Sequence, residues 1–191
     1  MRIAIIDGHP DPAPERLCHA LADAYADGAV AGGHEVQRVA VAAMELPLLR
    51  SEAAFHSADV PESEREAQEA IAWAEHLVLI YPLWLGTMPA ALKALLEQTL
   101  RPDFAMDYTG KWPAGRLQGR SARVVVTTGM PALAYRWWFG AHSLKSLERN
   151  VLKFVGIKPV RDTLFGMVGE ASEAKRADWL AQMRKLGEKG R

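Results

Sequence analysis

The sequence is poor in cysteine, with Cys18 alone among 191 residues. One cysteine excludes an intramolecular disulfide and a zinc site built on several cysteines, and it fits a reducing compartment. The sequence also lacks any run of about 18 uncharged apolar residues, the length that a membrane-spanning helix needs. The apolar stretch at residues 3–6 is too short for the core of a secretory signal peptide. We therefore expect a cytoplasmic protein that is not embedded in a membrane.

No excess of charge of either sign is present, because 23 Lys and Arg residues balance 23 Asp and Glu residues. A sequence-independent grip on nucleic acid needs a basic excess, so nucleic acid is not an expected partner. The balance hides an asymmetry, since residues 1–100 hold 6 basic and 15 acidic side chains while residues 101–191 hold 17 and 8. We expect the basic portion to favour anionic ligands.

Apolar runs of strand length alternate with segments of helical period, which predicts βαβ units and a parallel sheet. The predicted strands are residues 3–7, 34–42, 77–81, 124–128 and 160–167. The predicted helices are residues 16–31, 62–75, 89–100, 143–154 and 172–189, with long loops at 43–61 and 101–119. The pattern predicts one α/β domain over residues 1–191, a three-layer, doubly wound sheet of five parallel strands and of flavodoxin-like size.

The loop after the first predicted strand is a candidate phosphate site. Sheets of this kind bind ligands beyond the carboxyl ends of their strands, and this loop leads into the positive end of a helix. His9 and Arg16 add charge-assisted contacts there. The alternative is a rigid connector, because Pro10, Pro12 and Pro14 remove backbone donors.

The loop after the third predicted strand holds Trp84 and Leu85, which either pack in the core or form the apolar wall of a pocket for a flat ligand. The loop after the fourth runs into four large aromatic residues at positions 135–139, which we expect to line a pocket or an oligomer interface. Tyr135 and His142 are seven residues apart and would share one face of a continuous helix. Neutral Tyr and His side chains donate hydrogen bonds to developing negative charge.

Three segments together resemble the flavodoxin-like NAD(P)H:quinone oxidoreductases. They are GHPDP at residues 8–12, YPLWLGTMPAALKALLEQTLRPDFAM at 81–106 and TTGMPALAY at 127–135. The resemblance covers roughly residues 1–168, and the family includes quinone reductases, bacterial modulators of drug activity and ancillary oxidoreductases of potassium-efflux systems.

The resemblance implies a flavin site built from the three loops. Its residues would be His9, Arg16, Leu17 and Cys18 after the first strand, Pro82, Leu83, Trp84 and Leu85 after the third, and Thr127, Thr128, Gly129 and Met130 after the fourth. The sequence departs from the family at Arg16 and Cys18, where Ser or Asn is common, and at Met130, which replaces a Gly. Tyr135 matches the family's active-site tyrosine, and His142 falls one residue from the spacing of its histidine.

The implied activity is hydride transfer from NAD(P)H through FMN, or alternatively FAD, to a quinone-like acceptor in a ping-pong cycle, without a metal and in a homodimer. A regulatory subunit of a membrane transporter with the same fold is the alternative. A flavin-free enzyme would need a carboxylate such as Asp7, Asp11 or Asp103, and we expect Asp7 instead to brace its loop as a hydrogen-bond acceptor. Two interpretations of Cys18 remain: a redox thiol at a helix N-terminus, or a residue that only packs in the core.

Overall fold

The computed structural model describes residues 1–57 and 59–191. In chain order its strands are β1 (Arg2–Asp7), β2 (Glu35–Ala40), β3 (His76–Pro82), β4 (Met106–Asp107), β5 (Ala114–Gly115), β6 (Ser121–Thr127) and β7 (Val160–Phe165). Its helices are α1 (Leu17–Ala31), α2 (Glu52–Phe55), α3 (Glu62–Trp73), α4 (Ala90–Thr99), α5 (His142–Ser146) and α6 (Glu173–Glu188). A 3-10 turn covers Val41–Ala43, and π-helical turns cover Ala134–Trp138 and Leu147–Leu152.

The described residues form a five-stranded sheet in the order β2-β1-β3-β6-β7, in which every neighbouring pair is parallel. The prediction of a parallel, doubly wound α/β sheet is therefore confirmed. Strand order reverses between β1 and β3, because the chain leaves β1 toward β2 on one side and leaves β3 toward β6 on the other. The loops after β1, β3 and β6 consequently open at one edge of the sheet, around this reversal.

Both faces of the sheet are covered, which explains the unbroken apolar runs of its strands. Successive side chains of a strand point to opposite faces. Ile3 and Ile5 of β1 pack in one core with residues of α1 and α6, whereas Ala4 and Ile6 pack in the other with residues of α3 and α4.

Helices α1 and α6 lie in backbone contact at two glycines. A methyl group on Gly28 would lie 1.9 Å from the carbonyl oxygen of Arg184, and one on Gly187 would lie 2.1 Å from that of Tyr25. These distances leave no room for a β-carbon, so glycine sets the spacing of the two helices.

The structure differs from the prediction in its shortest elements. The predicted helix at 143–154 consists of α5 and a π-helical turn. The predicted loop at 43–61 contains α2, and the loop at 101–119 contains the antiparallel pair of β4 and β5. Elements of two to four residues are too short to carry a periodic hydrophobic pattern.

Candidate functional site

Each of the three strand-end loops is hydrogen-bonded to the neighbouring strand where it leaves the sheet. The N–H of Gly8 donates to the carbonyl of Ile80 at 2.7 Å, and the N–H of Leu83 donates to that of Thr127 at 2.7 Å. The N–H of Thr128 donates in turn to the carbonyl of Phe165 at 2.8 Å. The loops therefore start from fixed positions on adjacent strands.

The first loop is held by a chain of side-chain to backbone hydrogen bonds spaced two residues apart. Asp7 Oδ1 accepts from the N–H of His9 at 3.3 Å, and His9 Nδ1 accepts from the N–H of Asp11 at 3.1 Å. Asp11 Oδ1 then accepts from the N–H of Ala13 at 3.0 Å. Pro10 and Pro12 lie between these donors and Pro14 follows the last of them. The prolines have no N–H of their own, so the proline-rich sequence and the relay are complementary.

The relay fixes the protonation of His9. Because Nδ1 accepts a hydrogen bond, the ring proton resides on Nε2, and the ring is neutral. Burial lowers the pKa of His9 below its ordinary value, and the charge of His19 lowers it further. Nε2–H has no hydrogen-bond acceptor among the described residues, which leaves it available to donate to a ligand.

His19, which sequence analysis did not single out, braces the same loop. Its Nδ1 lies 2.6 Å from Asp7 Oδ2 and its Nε2 lies 2.9 Å from the carbonyl oxygen of Asp11. Partial burial would lower the pKa of His19, but the hydrogen bonds to Asp7 and to the Asp11 carbonyl outweigh it, so this pKa is raised. Asp7 is thus the loop-bracing acceptor that the sequence predicted. A histidine in the first turn of a helix that follows an Asp-containing loop was the one available signal.

The start of α1 provides backbone N–H donors, whereas the side chains of Arg16 and Cys18 are engaged within the protein. Arg16 Nε donates to Asp11 Oδ2 at 2.7 Å, so its guanidinium is paired within the loop. Cys18 is buried, with Sγ 3.4 Å from Thr127 Oγ1, and burial raises the pKa of its thiol to about 12. The N–H groups of Leu17 and Cys18 have no acceptor in the described part of the chain, as expected for the first turn of a helix.

The second loop forms a tight turn at its tip. Trp84 and Thr87 exchange reciprocal backbone hydrogen bonds of 2.9 Å, and the two residues between them, Leu85 and Gly86, have φ of 46° and 80°. Positive φ at both central positions is typical of a type I′ turn and is costly for leucine. The Leu85 side chain is nevertheless fully exposed, so packing does not explain it. Pro82 ends β3, and Leu83 packs against the core.

The Trp84 ring connects the second loop to the first, because it contacts His9 edge to face. Trp84 is 46% exposed, so part of the indole remains open beside the histidine. This contact brings together the residues that the sequence assigned to the phosphate and to the ring of one ligand.

The third loop is tightly bound at its start and open at its middle. Thr127 and Thr128 are buried, and Thr128 Oγ1 accepts from the N–H of Met130 at 3.2 Å. A methyl group on Gly129 would meet open space, and the Gly129 N–H has no acceptor among the residues described. Met130 packs partly against the core. Gly129 is therefore the position of this loop most accessible to a ligand.

Tyr135 and His142 do not lie on one continuous helix. The segment between them is not one helix, because the chain turns left-handed at Gly140 and Ala141, with φ of 64° and 48°. The shared face expected from their seven-residue spacing is therefore not formed. Tyr135 is buried, and its hydroxyl pairs with Ser143 Oγ at 2.7 Å and accepts from the N–H of Leu144 at 3.3 Å. His142 is exposed, with its ring over Gly140.

An apolar cleft of about 530 Å³ lies between the second loop and the segment that begins at Ser143. Its walls include Trp84 and Met88 on one side and Ser143 and Leu147 on the other, with Lys93 as a charged group. Ser143 is the hydrogen-bond partner of Tyr135, so the tyrosine reaches this cleft through a serine hydroxyl.

The described residues hold no group of three His, Cys, Asp or Glu side chains that could bind a metal ion. None of the helices in residues 1–57 and 59–191 has the length and apolar character needed to cross a membrane.

The sequence matches the flavodoxin-like fold family over residues 1–186. FMN-dependent NADH:quinone oxidoreductase 1 of Hahella chejuensis is 36% identical over 93 residues, which cover 48% of this chain and 43% of that protein. Human ribosyldihydronicotinamide dehydrogenase (quinone) is 28% identical over 129 residues, which cover 65% of this chain and 54% of that protein. The chain thus spans about half the length of the curated relatives it matches.

Among solved structures, the NAD(P)H:quinone oxidoreductase of Methanothermobacter marburgensis superposes with a TM-score of 0.84 at 22% identity, over 98% of both chains. At this identity the similarity concerns the fold. Together with the match over residues 1–186, it shows that this chain belongs to the flavodoxin-like fold family.

Proposed function

We propose that this protein is a flavin-dependent oxidoreductase that binds FMN and transfers a hydride from NAD(P)H to a quinone-like acceptor. The contact between His9 and Trp84 carries the proposal, because it places a free N–H donor for an anion beside an exposed aromatic wall at the reversal of strand order. When bound, FMN would supply the ring that accepts a hydride and passes it on.

The residues of the first loop fit a phosphate group. His9 would donate from Nε2, and the free N–H groups of Leu17 and Cys18 would donate from the positive end of α1. The side chain of Cys18 is buried and takes no part. The Arg16 guanidinium, paired with Asp11, would add attraction at longer range.

The second and third loops fit a flat ring with a polar edge. Trp84 and the segment Pro82–Leu83 would form the apolar side. The N–H groups of Leu85 and Gly129, which have no acceptor within residues 1–57 and 59–191, would meet the polar edge. The buried residues Thr127 and Thr128 would hold the third loop in place, with Met130 beneath it. The relatives whose names include FMN and quinone support this assignment.

Tyr135 and His142 are the proposed catalytic residues. Tyr135 would act on the cleft through Ser143, by orienting that hydroxyl toward negative charge on the acceptor. His142 is exposed and would donate to the acceptor after a rotation of its ring. Donor and acceptor would use the cleft in turn, which gives ping-pong kinetics.

A homodimer completes the proposal. The side chains of Leu133, Trp137, Trp138 and Phe139 are 55–86% exposed, and large exposed aromatics are typical of an interface. Exchange of Trp137 and Trp138 for serine is expected to convert a dimer to a monomer in analytical ultracentrifugation. A wild-type protein that sediments as a monomer would contradict this part.

The test of the activity is direct. Purified protein is incubated with FMN, FAD or no flavin, passed through a desalting column and examined for visible flavin absorbance. NADH and NADPH oxidation is then followed with a water-soluble quinone. No co-eluting flavin and no quinone-dependent oxidation would overturn the proposal.

The role of Tyr135 has its own test. Tyr135→Phe is expected to slow quinone reduction about tenfold or more while flavin stays bound, since one positioned hydrogen-bond donor of this kind typically contributes at least that much. Tyr25→Phe is the matched control, because Tyr25 is equally buried but lies on α1 against α6. Equal rates in both variants would exclude a catalytic role for Tyr135.

A further inference from the structure

The imidazole of His19 is held between two acceptors. Nδ1 lies 2.6 Å from the Asp7 carboxylate and Nε2 lies 2.9 Å from the Asp11 carbonyl oxygen, which can only accept. Nε2 must therefore carry a proton, and the short contact at Nδ1 requires a second proton between nitrogen and carboxylate. The pair consequently holds one proton more than a neutral imidazole facing an ionised carboxylate, and the ring is described as an imidazolium.

This imidazolium closes the hydrogen-bond relay of the first loop at both ends, through the side chain of Asp7 and the backbone carbonyl of Asp11. Asp7 and Asp11, which it contacts, are also the residues that flank His9 in the relay. The His9 and His19 rings touch edge to face, with centroids 5.4 Å apart. One ring of this pair is charged, and the other is neutral and keeps Nε2–H available.

The charged groups around His19 cancel only when it is protonated. They come from β1, the first loop, α1 and β2, and they are Asp7, Asp11, Arg16, Asp23 and Arg38, with neutral His9 beside them. The two arginines offset two of the three aspartates, and the His19 imidazolium offsets the third. Neutral His19 would leave one net negative charge beside the proposed phosphate position, which repels an anion.

The His19 imidazole is accessible to solvent protons. A cleft of about 380 Å³ opens on the side of Asp7, His19 and Arg38, and the His19 side chain is 17% exposed. The protonation of His19 can therefore follow the pH of the solution without unfolding of the loop.

We propose that His19 is a positioning residue that acts as a proton-dependent clamp: its imidazolium holds the first loop in the form in which neutral His9 presents Nε2–H to the phosphate of a flavin nucleotide. This inference rests on the proposed function only for the identity of the ligand. It assigns to His19 no contact with the ligand itself.

The protonation of His19 and His9 limits the pH range over which the first loop keeps its ligand-binding form. The raised pKa of His19 means that the clamp is intact below the ordinary histidine value and is lost as pH rises through the folded value. The lowered pKa of His9 means that its acceptor role is intact above the ordinary value and is lost as pH falls through the folded value. Affinity for FMN is expected to be highest between these limits.

The first experiment requires no flavin. Ring 15N chemical shifts of His9 and His19 are measured by NMR in the flavin-free, full-length protein from pH 5 to pH 9, with signals assigned by His9→Asn and His19→Gln. We expect His19 to show two protonated nitrogens at pH 6.5 and His9 to show a protonated Nε2 and an unprotonated Nδ1. A neutral His19 at pH 6.5 would overturn the clamp whether or not the protein binds a flavin.

The second experiment compares FMN with riboflavin, which lacks the phosphate. Dissociation constants are measured by quenching of flavin fluorescence across the same pH range for wild type, His19→Gln and His19→Lys. For His19→Gln, FMN binding is expected to weaken about tenfold at pH 6.5 and to lose its decline at high pH. His19→Lys, with an ordinary pKa of about 10.4, is expected to restore the affinity and carry it to higher pH. Riboflavin binding should change less than about threefold in either variant.

A merely structural role would give a different pattern. It would weaken FMN and riboflavin alike, leave the shape of the pH profile unchanged and leave His19→Lys as defective as His19→Gln. Any of these three results would overturn the proposal. Absence of FMN binding by the wild type would instead overturn the proposed function, and the NMR result would still decide whether the clamp exists.

Discussion

The indole of Trp84 meets the imidazole of His9 edge to face, with ring centroids 5.6 Å apart and ring planes at 82°. The two residues follow the neighbouring strands β3 and β1, so the contact crosses the reversal of strand order. The contact also joins the phosphate end and the ring end of the proposed ligand site. Substitutions at His9 and at Trp84 should therefore affect the binding of the phosphate and of the ring differently.

His9→Gln is expected to weaken FMN binding about tenfold to a hundredfold, because one hydrogen bond to a charged phosphate is lost. Riboflavin binding should stay within about threefold of wild type. Trp84→Ala should weaken the binding of both FMN and riboflavin, since it removes an apolar wall that both would contact. Fluorescence quenching measures all four constants, and equal losses of FMN and riboflavin in His9→Gln would contradict the assignment of His9 to the phosphate.

The backbone of Leu85 is strained and its side chain is exposed. We therefore expect its replacement by glycine to stabilise the fold and to weaken flavin binding. Leu85→Gly is expected to raise the free energy of unfolding by about 0.5–1 kcal/mol, because glycine adopts a φ of 46° without a steric cost. Flavin binding should weaken at the same time, because the more flexible glycine holds the backbone N–H of this turn less firmly in place. Leu48→Gly is the control, since Leu48 is also exposed but lies outside the positive-φ positions, and it should not stabilise. Urea unfolding measures both, and a destabilised Leu85→Gly would refute the strain.

Cys18 should behave as an inert core residue. Burial raises the pKa of its thiol to about 12, so almost no thiolate is present at pH 8. Iodoacetamide is expected to leave the native protein unmodified for hours and to label it rapidly in guanidinium chloride, as followed by mass spectrometry. Rapid labelling of the native protein would restore the redox-thiol interpretation.

His76 should contribute to acid unfolding far from the site. It is fully buried at the start of β3, with Nδ1 2.7 Å from Ser121 Oγ, and burial lowers its pKa to about 4. The unfolded chain takes up this proton near pH 6.5, so the contribution is complete above that pH and is lost as pH falls toward about 4. The loss amounts to about 3 kcal/mol. Chemical unfolding at pH 7 and pH 4 should show a smaller difference in His76→Gln than in wild type, and an equal difference would contradict the prediction.

The sheet was predictable because its strands are buried on both faces. The apolar runs at residues 3–7 and 77–81 identified β1 and β3 to within one residue at each end. The left-handed turn at Gly140 and Ala141 was not predictable, since alanine gives no sign of positive φ. That turn decided where Tyr135 and His142 lie.

The candidate site was predictable in location and only partly in chemistry. The resemblance named the three loops, and the structure brings His9 and Trp84 into contact. The sequence could not show that Asp11 pairs with Arg16, or that His19 turns back onto Asp7, because both depend on the path of the loop.

The expectation that the basic residues 101–191 favour anionic ligands also depends on the path of the chain. Several of its arginines are bound to backbone carbonyls within the fold. Arg101 donates to the carbonyls of Ser57 and Asp59, Arg120 to those of Ile71 and Ala72, and Arg123 to that of Arg191. Such cations stabilise chain segments, so composition alone does not locate an anion site.

The glycines between α1 and α6 extend the site to a distant part of the chain. Helix α1 is about 22 Å long. Its first turn carries the two N–H groups proposed to bind the phosphate, and its last turns rest on α6 through Gly28 and Gly187. A side chain at either glycine would displace helix α1 from α6 and shift the first turn of α1. A larger residue at Gly28 or at Gly187 is therefore expected to weaken ligand binding as well as the packing of α1 on α6.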